Sequence, residues 1–313
     1  MQQLDRFRGC LLGLAAGDAV GTTVEFRPRG SFAPLTDMIG GGPFHLLPGQ
    51  WTDDTSMALC LAVSLVERNG FDARDQIESY CRWRDEGYLS SNGRCFDIGN
   101  TVASALARFQ RTGDPFAGST DPYSAGNGCI MRLAPIAMFY FPDLELVEHY
   151  AAESSRTTHA AAECLDASRL FARMVVRALQ GGPKEEILLA DHTSFVGAPK
   201  IMSIAQGEYI AKPMSGIRGS GYVVDSLEAA LWCFHHTDSF EQAILAAANL
   251  GDDADTTAAV CGQVAGAFYG ASGIPAPWLE RLTLRSEIEQ LAVQLMVTGT
   301  QIIQPGISQP LFS

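Results

Sequence analysis

A cluster of carboxylates stands at the head of an uncharged, apolar stretch of this chain. Residues 251–257 read Gly-Asp-Asp-Ala-Asp-Thr-Thr, and residues 258–270 carry no charged side chain. This run of small and apolar residues predicts a buried helix that neighbouring helices can approach closely. Capping of the helix start accounts for one carboxylate but hardly for three, because like charges so close raise one another's pKa unless a cation lies between them.

A second acidic cluster has the same layout about 200 residues earlier in the chain. Residues 51–55 read Trp-Thr-Asp-Asp-Thr and precede the apolar residues 56–65, with Gly70 as the predicted stop of that helix. If the two helix starts meet in a bundle, their carboxylates and hydroxyls form an all-oxygen site of the kind that Mg²⁺ or Mn²⁺ prefers. Either cluster alone is equally well explained as a cap, but the shared layout favours a metal site.

The segments that must position these clusters have their apolar residues mostly at helical spacing. Residues 4–21 form the first predicted helix, in which Gly9, Gly13 and Gly17 recur at every fourth position and leave a flat stripe for close helix contact. A loop rich in glycine and proline follows over residues 27–50. Further helices are predicted at residues 55–69, 72–86, 102–112, two within 144–181, 222–236, 240–250 and 278–298.

Convincing alternating strands are absent from the sequence, which predicts an all-α protein. We expect a single-domain, compact multi-helix bundle over residues 1–313, with a core at about residues 5–295 and a short C-terminal tail.

The composition excludes several classes of function. Charged residues make up 18% of the chain and hydrophobic residues 47%, as in compact globular proteins. The net charge is −13 with only three lysines, so we expect binding neither to nucleic acid nor to anionic membranes. The eight cysteines contain no C-x-x-C pair, the N-terminus is too polar for a secretion signal, and no apolar stretch reaches spanning length. These features predict a cytoplasmic protein with reduced cysteines, and we expect a monomer.

Four other polar positions are candidates for a site. Glu25 and Asp97 each lie between apolar residues, where burial would perturb the pKa of a carboxyl group. A structurally satisfied glutamate and a capping aspartate explain them equally well. Residues 126–128 read Gly-Asn-Gly before a predicted helix, which would expose backbone N–H groups to an anion, although Asn-Gly turns are common. His159 follows a helix, and a lone histidine is more often structural than functional.

With these motifs in order along the chain, the sequence resembles the ADP-ribosylglycohydrolase family, and closely its dinitrogenase-reductase-activating branch. The resemblance covers about residues 5–295 and is specific because it rests on several ordered motifs. These motifs are residues 9–21 with Glu25, Thr52–Thr55, Phe96–Thr101, Gly126–Arg132, Thr158–His159, Tyr222–Asp225 and Asp253–Thr256.

The resemblance implies an all-helical fold with two Mg²⁺ or Mn²⁺ ions. It implies that the ions are ligated from two sides, by Thr52, Asp53, Asp54, Asp253, Asp255 and Thr256. Glu25 beside the metals and Asp97 near the scissile ribose would be the catalytic residues. The implied substrate-binding residues are Asn100, Gly126, Asn127, Gly128 and His159, with Tyr222 stacked on adenine. One departure is Asp252, where the family usually has a glycine.

The activity that the resemblance implies is hydrolysis at ribose C1″ of ADP-ribosylated protein, most simply of modified arginine, with ADP-ribose as product. A threonine, serine or small-molecule linkage is an alternative, because the acceptor lies outside the sugar pocket. A binding module that recognises ADP-ribose without cleaving it would need a missing ligand or acid, and none is missing. A phosphohydrolase is disfavoured because the sequence lacks a His/Asp-rich metal pattern.

Overall fold

Helices and turns make up the structure of residues 2–303, the part of the chain that the computed structural model describes. Three isolated β-bridges are the only extended pairing in this range. The fourteen α-helices are α1 (Gln2–Gly21), α2 (Asp53–Arg68), α3 (Ala73–Glu86), α4 (Asn100–Thr112), α5 (Ala134–Phe139), α6 (Leu144–Arg156), α7 (Ala162–Gln180), α8 (Lys184–Leu189), α9 (Pro199–Ala205), α10 (Val223–His235), α11 (Phe240–Ala248), α12 (Ala254–Tyr269), α13 (Ala276–Arg281) and α14 (Arg285–Ile303). The predicted all-α class is confirmed.

Two helix predictions need correction. The helix predicted at residues 55–69 begins at Asp53, so both acidic residues of that cluster lie in its first turn. The single helix predicted at 278–298 is wrong, because the chain forms two helices separated by residues 282–284, and Leu284 has φ +54°. The predicted C-terminal tail falls mostly on residues 304–313, which lie outside the described residues.

The contact that organises the bundle joins α1 and α12, which run antiparallel and touch along most of their length. A methyl group added at Gly9, Gly13 or Gly17 would overlap a backbone carbonyl oxygen of α12. The overlap is reciprocal, since a methyl group at Gly262 would meet the carbonyl oxygen of Gly13. Glycine therefore allows the two backbones to approach more closely than any side chain would permit, as the stripe of glycines predicts.

This antiparallel pairing brings the end of α1 to the start of α12. Gly21 lies against Ala254 and Asp255, and Glu25 follows one 3₁₀ turn later, after Thr22–Val24. Helix α2 packs against both α1 and α12, so its first turn reaches the same end of the bundle. The acidic clusters thus approach one another as a consequence of helix packing.

The long loop over residues 27–50 is held to the bundle by polar contacts at its middle. The side chain of Asn249 bonds both the backbone N–H and the carbonyl of Leu35. Asp37 accepts hydrogen bonds from Trp278 Nε1 at 2.7 Å and from Arg281 at 2.8 Å. Among residues 2–303 no helix combines the length and the apolarity needed to cross a membrane.

Replacement of Gly17 by alanine is expected to separate α1 from α12, because the new methyl group has no space beside the Ala258 carbonyl. Overpacking of this kind lowers the free energy of unfolding by about 1–3 kcal/mol, measured by denaturant titration. Gly99→Ala is the matched control, since Gly99 has φ −67° and nothing within 4 Å of an added methyl group. Equal stability of the two variants would show that the helix contact is not close.

Candidate active site

The start of α2 is capped by a carboxylate from another helix. Asp18, at 0% exposure in α1, accepts from the backbone N–H groups of Thr52 at 2.8 Å and Thr55 at 3.0 Å. It also accepts from both threonine hydroxyls, at 2.9 and 2.6 Å. Because Asp18 accepts from two of the N–H groups at this helix start, capping does not require both Asp53 and Asp54.

The start of α12 is capped in the same way from outside the helix. Glu25 Oε2 accepts from the N–H groups of Ala254 at 2.7 Å and Asp255 at 3.1 Å. The residue that precedes the helix, Asp253, makes no side-chain cap of its own. Asp255 Oδ1 also accepts from the N–H of Thr256 at 2.7 Å, so capping is mainly the role of Asp18 and Glu25 and describes the cluster aspartates only in part.

Two hydrogen bonds join the acidic clusters directly. Thr52 Oγ1 shares its one proton between Asp18 Oδ1 at 2.9 Å and Asp255 Oδ2 at 3.1 Å, and Thr256 Oγ1 donates to Asp54 Oδ1 at 3.2 Å. The structure thus brings residues about 200 positions apart in sequence into contact across α2 and α12. Carboxylate oxygens of Glu25, Asp253 and Asp255 also lie within 4.8 Å of one another, a group that could hold a metal ion.

Crowding and burial disfavour the charged form of every carboxyl group in this cluster. Burial raises the pKa of Asp253 to about 7 and that of Asp255 to about 8, with neighbouring carboxylates adding to the effect. The pKa values of Asp53 and Asp54 are raised well above the ordinary value, again by burial first and by negative neighbours second. Burial and the charges of Asp255 and Asp253 also raise the pKa of Glu25.

These residues fit a divalent cation, as the family resemblance leads us to expect. All the side-chain donors are oxygen atoms, the chemistry that hard cations such as Mg²⁺ and Mn²⁺ select. Asp54 Oδ2 is buried and has no hydrogen-bond partner among the described residues, so this oxygen atom is free to coordinate a cation. A cation would offset the repulsion that raises the pKa values, which explains how five carboxyl groups can share one buried site.

A cleft of about 370 Å³ opens above the carboxylates and is lined by eleven of the fourteen predicted site residues. These residues are Glu25, Asp53, Asp97, Asn100, Gly126, Asn127, Gly128, His159, Asp253, Asp255 and Thr256. Thr52 and Asp54 lie beneath it, in contact with Asp255 and Thr256. Asp97 has φ +60°, and burial raises its pKa to about 7, opposed by a hydrogen bond with Asp255.

The Gly-Asn-Gly segment differs from the sequence prediction. Its N–H groups were expected to be free for an anion, but that of Gly126 donates to Ser124 O at 2.8 Å and that of Asn127 to Gly221 O at 3.0 Å. The side chain of Asn127 donates to Asp253 Oδ2 at 2.9 Å. The segment is a 3₁₀ turn, Asn127–Cys129, that pairs with the chain before α10 and orients an acidic residue of the cluster.

Tyr222 lies in an adjoining pocket of about 600 Å³ rather than in the cleft itself. The two cavities share Thr101, Gly126 and Gly221, so they form one continuous groove. The Tyr222 hydroxyl donates to Glu163 at 2.5 Å and accepts from Lys200 at 2.8 Å.

Asp252 takes part through its backbone. It has φ +57°, the left-handed region that glycine favours, and its side chain is exposed. Phe26 N–H donates to Asp252 O and Asp252 N–H donates to Arg27 O, both at 2.8 Å. These two backbone hydrogen bonds fix the chain beside Glu25 in a conformation that glycine favours.

Sequence reasoning missed two residues of the site. Asp18 belongs to the motif at residues 9–21 but has no predicted role, although an acid inside a helix of small residues signals a buried partner. Phe26 lines the cleft with 64% of its surface exposed and φ +62°, unusual for a bulky residue. Its ring contacts that of Phe44, which in turn contacts Phe96, with centroid distances of 6.2 and 5.3 Å. No local pattern connects these three rings, because they meet only in the folded chain.

An all-helical bundle with an acidic, oxygen-only cluster at the base of a cleft defines a class of hydrolases. The chain belongs to the ADP-ribosylglycohydrolase family, whose family model matches residues 1–302, and it is therefore an enzyme of the glycosidic-bond hydrolase class. It is 48% identical over 301 residues to ADP-ribosylarginine hydrolase Tri1 of Pseudomonas putida (strain GB-1), covering 96% of this chain and 80% of the relative.

Two further similarities agree with this assignment. The ADP-ribosyl-dinitrogen reductase glycohydrolase of Rhodospirillum rubrum is 35% identical over 298 residues, with 91% of this chain and 92% of the relative covered. A solved structure described as an ADP-ribosylglycohydrolase-related protein complex superposes with a TM-score of 0.84 at 43% identity, covering 95% of this chain and 99% of that one.

Asp252→Gly is expected to preserve turnover within about twofold and to preserve stability, because glycine adopts the left-handed conformation without strain. Asp252→Val should lower the free energy of unfolding by about 1–3 kcal/mol, since a β-branched residue is strained at positive φ. Thermal unfolding and turnover of the two variants test this. Loss of turnover in the stable glycine variant would instead assign a role to the carboxylate.

Proposed function

We propose that this enzyme removes ADP-ribose from modified arginine residues of proteins, with the help of two Mg²⁺ or Mn²⁺ ions. The observation that carries the proposal is the pair of cross-links, Thr52 to Asp255 and Thr256 to Asp54, at the base of the cleft. The proposed metal ligands are the side chains of Thr52, Asp53, Asp54, Asp253, Asp255 and Thr256. When bound, the ions would orient ribose hydroxyl groups and make water more acidic.

The protein's own carboxyl groups handle the protons of the reaction in this proposal. Breaking the bond at ribose C1″ passes through a sugar cation, so the leaving nitrogen must gain a proton and the attacking water must lose one. We assign these two proton transfers to Glu25 and Asp97, which both line the cleft. Burial, the first cause of the raised pKa of Asp97, supports this role, because it favours the protonated form of a carboxyl group that must also be able to give up its proton.

The shape of the groove supports an orientation for the ADP-ribosyl group. The ribose and the diphosphate would bind beside four residues that line the cleft, Asn100, Gly126, Gly128 and His159. The adenine then extends into the adjoining pocket, where the half-buried Tyr222 ring offers a stacking surface. Asn127 acts indirectly, by holding Asp253.

Arginine as the acceptor is supported by two lines of argument. The relative from Pseudomonas putida is named an ADP-ribosylarginine hydrolase, and a relative of that name from Serratia proteamaculans (strain 568) is 47% identical. In addition, Phe26 lines the cleft on the side of Glu25 and is absent from the adjoining pocket. An exposed aromatic face beside carboxylates suits a cationic guanidinium better than the neutral hydroxyl-derived linkage of serine or threonine.

The decisive experiment is incubation of an ADP-ribosylated arginine protein with the enzyme and Mg²⁺ or Mn²⁺, with chromatography of the released nucleotide. Intact ADP-ribose supports the proposal, whereas AMP or phosphate would indicate a phosphohydrolase. Tight binding without turnover would indicate a binding module. A parallel panel carrying serine- and threonine-linked ADP-ribose identifies the acceptor.

Asp54→Ala and Asp253→Ala are each expected to abolish turnover, because each removes a proposed metal ligand. The helical fold should persist, and without metal the variants should be at least as stable as the parent, since each removes one charge from a repulsive cluster. Circular dichroism and ADP-ribose release measure both effects. Asp252→Asn is the matched control, and turnover at the parent rate under limiting metal in either alanine variant would contradict the ligand assignment.

Phe26→Ala is expected to reduce kcat/KM for arginine-linked ADP-ribose by about threefold to thirtyfold, through loss of a cation–π contact. The affinity of Phe26→Ala for free ADP-ribose should equal that of the parent. Tyr222→Ala should weaken the binding of free ADP-ribose by about 1–3 kcal/mol, the binding free energy that one stacked base contributes. Val196→Ala is the control, as Val196 is a similarly exposed apolar residue, 74% exposed, outside the groove. An equal loss for free ADP-ribose would remove Phe26 from the acceptor side.

A further inference from the structure

Arg132 is a buried cation with no carboxylate partner among residues 2–303. It is 1% exposed, and its guanidinium lies over the ring of Tyr80 at 4.9 Å. Its hydrogen bonds go to oxygen atoms without charge: Gly128 O at 2.6 Å, Ser154 O at 3.3 Å, Thr157 Oγ1 at 3.5 Å and Thr158 Oγ1 at 2.8 Å. Burial of a charged group without an oppositely charged partner lowers the stability of a protein. The buried guanidinium of Arg132 therefore indicates a role in the neighbouring site.

The hydrogen bond from Arg132 to Thr158 decides which atom donates in the hydrogen bond between Thr158 Oγ1 and His159 Nδ1. Thr158 is fully buried, and its Oγ1 lies 2.9 Å from His159 Nδ1. Because Oγ1 accepts from Arg132, its own proton needs an acceptor, and His159 Nδ1 is the available one. With a proton on Nδ1 instead, the threonine hydroxyl would accept twice and leave its own hydrogen unpaired in a buried position, at a cost of about 1–3 kcal/mol.

An accepting Nδ1 requires that the proton of neutral His159 be on Nε2. Burial, and then the positive charge of Arg132, lowers the pKa of His159 to about 3, so the ring is neutral at physiological pH. No hydrogen bond to Nε2 occurs within residues 2–303, and the ring borders the cleft. The His159 ring can lie here only because residue 128 has no side chain. A methyl group added at Gly128 would lie 2.7 Å from His159 Cε1 and 3.1 Å from His159 Nε2.

We propose that Arg132 and Thr158 are positioning residues that hold His159 as an Nε2–H donor directed at the ligand in the cleft. The relay runs from the guanidinium to the threonine hydroxyl and from the hydroxyl to Nδ1. The ligand acceptor would be an oxygen of the ADP-ribosyl group, and this part rests on the proposed function. A donor set by internal hydrogen bonds offers its proton to an anionic or hydroxyl oxygen without a change of charge on the ring.

Thr158→Val removes the hydroxyl while keeping the shape of the side chain, and Thr158→Ser keeps the hydroxyl. Long-range ¹⁵N–¹H correlation spectra of the ligand-free protein should show His159 protonated at Nε2 in the parent and serine variant. The valine variant should shift towards the Nδ1–H form. Its dissociation constant for ADP-ribose should rise about fivefold to tenfold, the worth of one hydrogen bond, while the serine variant stays within about twofold of the parent.

A second pair of variants separates positioning from stability. His159→Gln carries an amide donor near the position of Nε2 and should retain more ADP-ribose affinity than His159→Asn, whose amide reaches only to the position of Nδ1. Comparable unfolding temperatures would show that the difference does not come from folding. A parent protonated at Nδ1, or unchanged binding in folded Thr158→Val, would overturn the proposal. Failure of the parent to bind ADP-ribose, with Nε2 protonated, would count against the proposed function while supporting the relay.

Discussion

The close approach of α1 to α12 is the constraint on which the rest of the structure depends. Glycines on both helices place backbone against backbone, so the pair has essentially one register in which the surfaces fit. That register puts Asp18 beside the start of α2 and Glu25 beside the start of α12. A contact without chemistry of its own therefore decides where the charged groups of the site are located.

Repulsion among the carboxyl groups of the site lowers the free energy of unfolding, so other parts of the fold must stabilise the protein. Five carboxyl groups, those of Glu25, Asp53, Asp54, Asp253 and Asp255, lie together in a largely buried volume, and their pKa values are raised by burial first and by mutual repulsion second. Helix starts are suitable places for such groups, because the helix dipole and the free N–H groups stabilise negative charge. The extensive apolar core and the paired helices supply the stability that the cluster removes.

The two sides of the groove are built differently. On the acidic side, the functional groups project from the first turns of long helices and are connected by direct hydrogen bonds. On the other side, the loop at Gly126–Gly128 is tied to Gly221, and His159 is anchored to Ser155 by two hydrogen bonds, at 2.7 Å each. Both sides are thus held rigidly, as expected of a site that must orient a ribose against a reactive group.

The sequence alone determined the helical class, the glycine stripe and the chemistry of the acidic clusters, because periodicity, residue size and charge are local properties. It also identified eleven residues that line the cleft, through family motifs that are themselves runs of neighbouring residues. Only the tertiary structure decided that Asp18 and Glu25 are the caps, that the backbone of Asp252 is bonded to the chain beside Glu25, and that Tyr222 lies in the adjoining part of the groove. These outcomes depend on partners far away in the chain, and the geometry of such pairs is set by packing rather than by any local pattern.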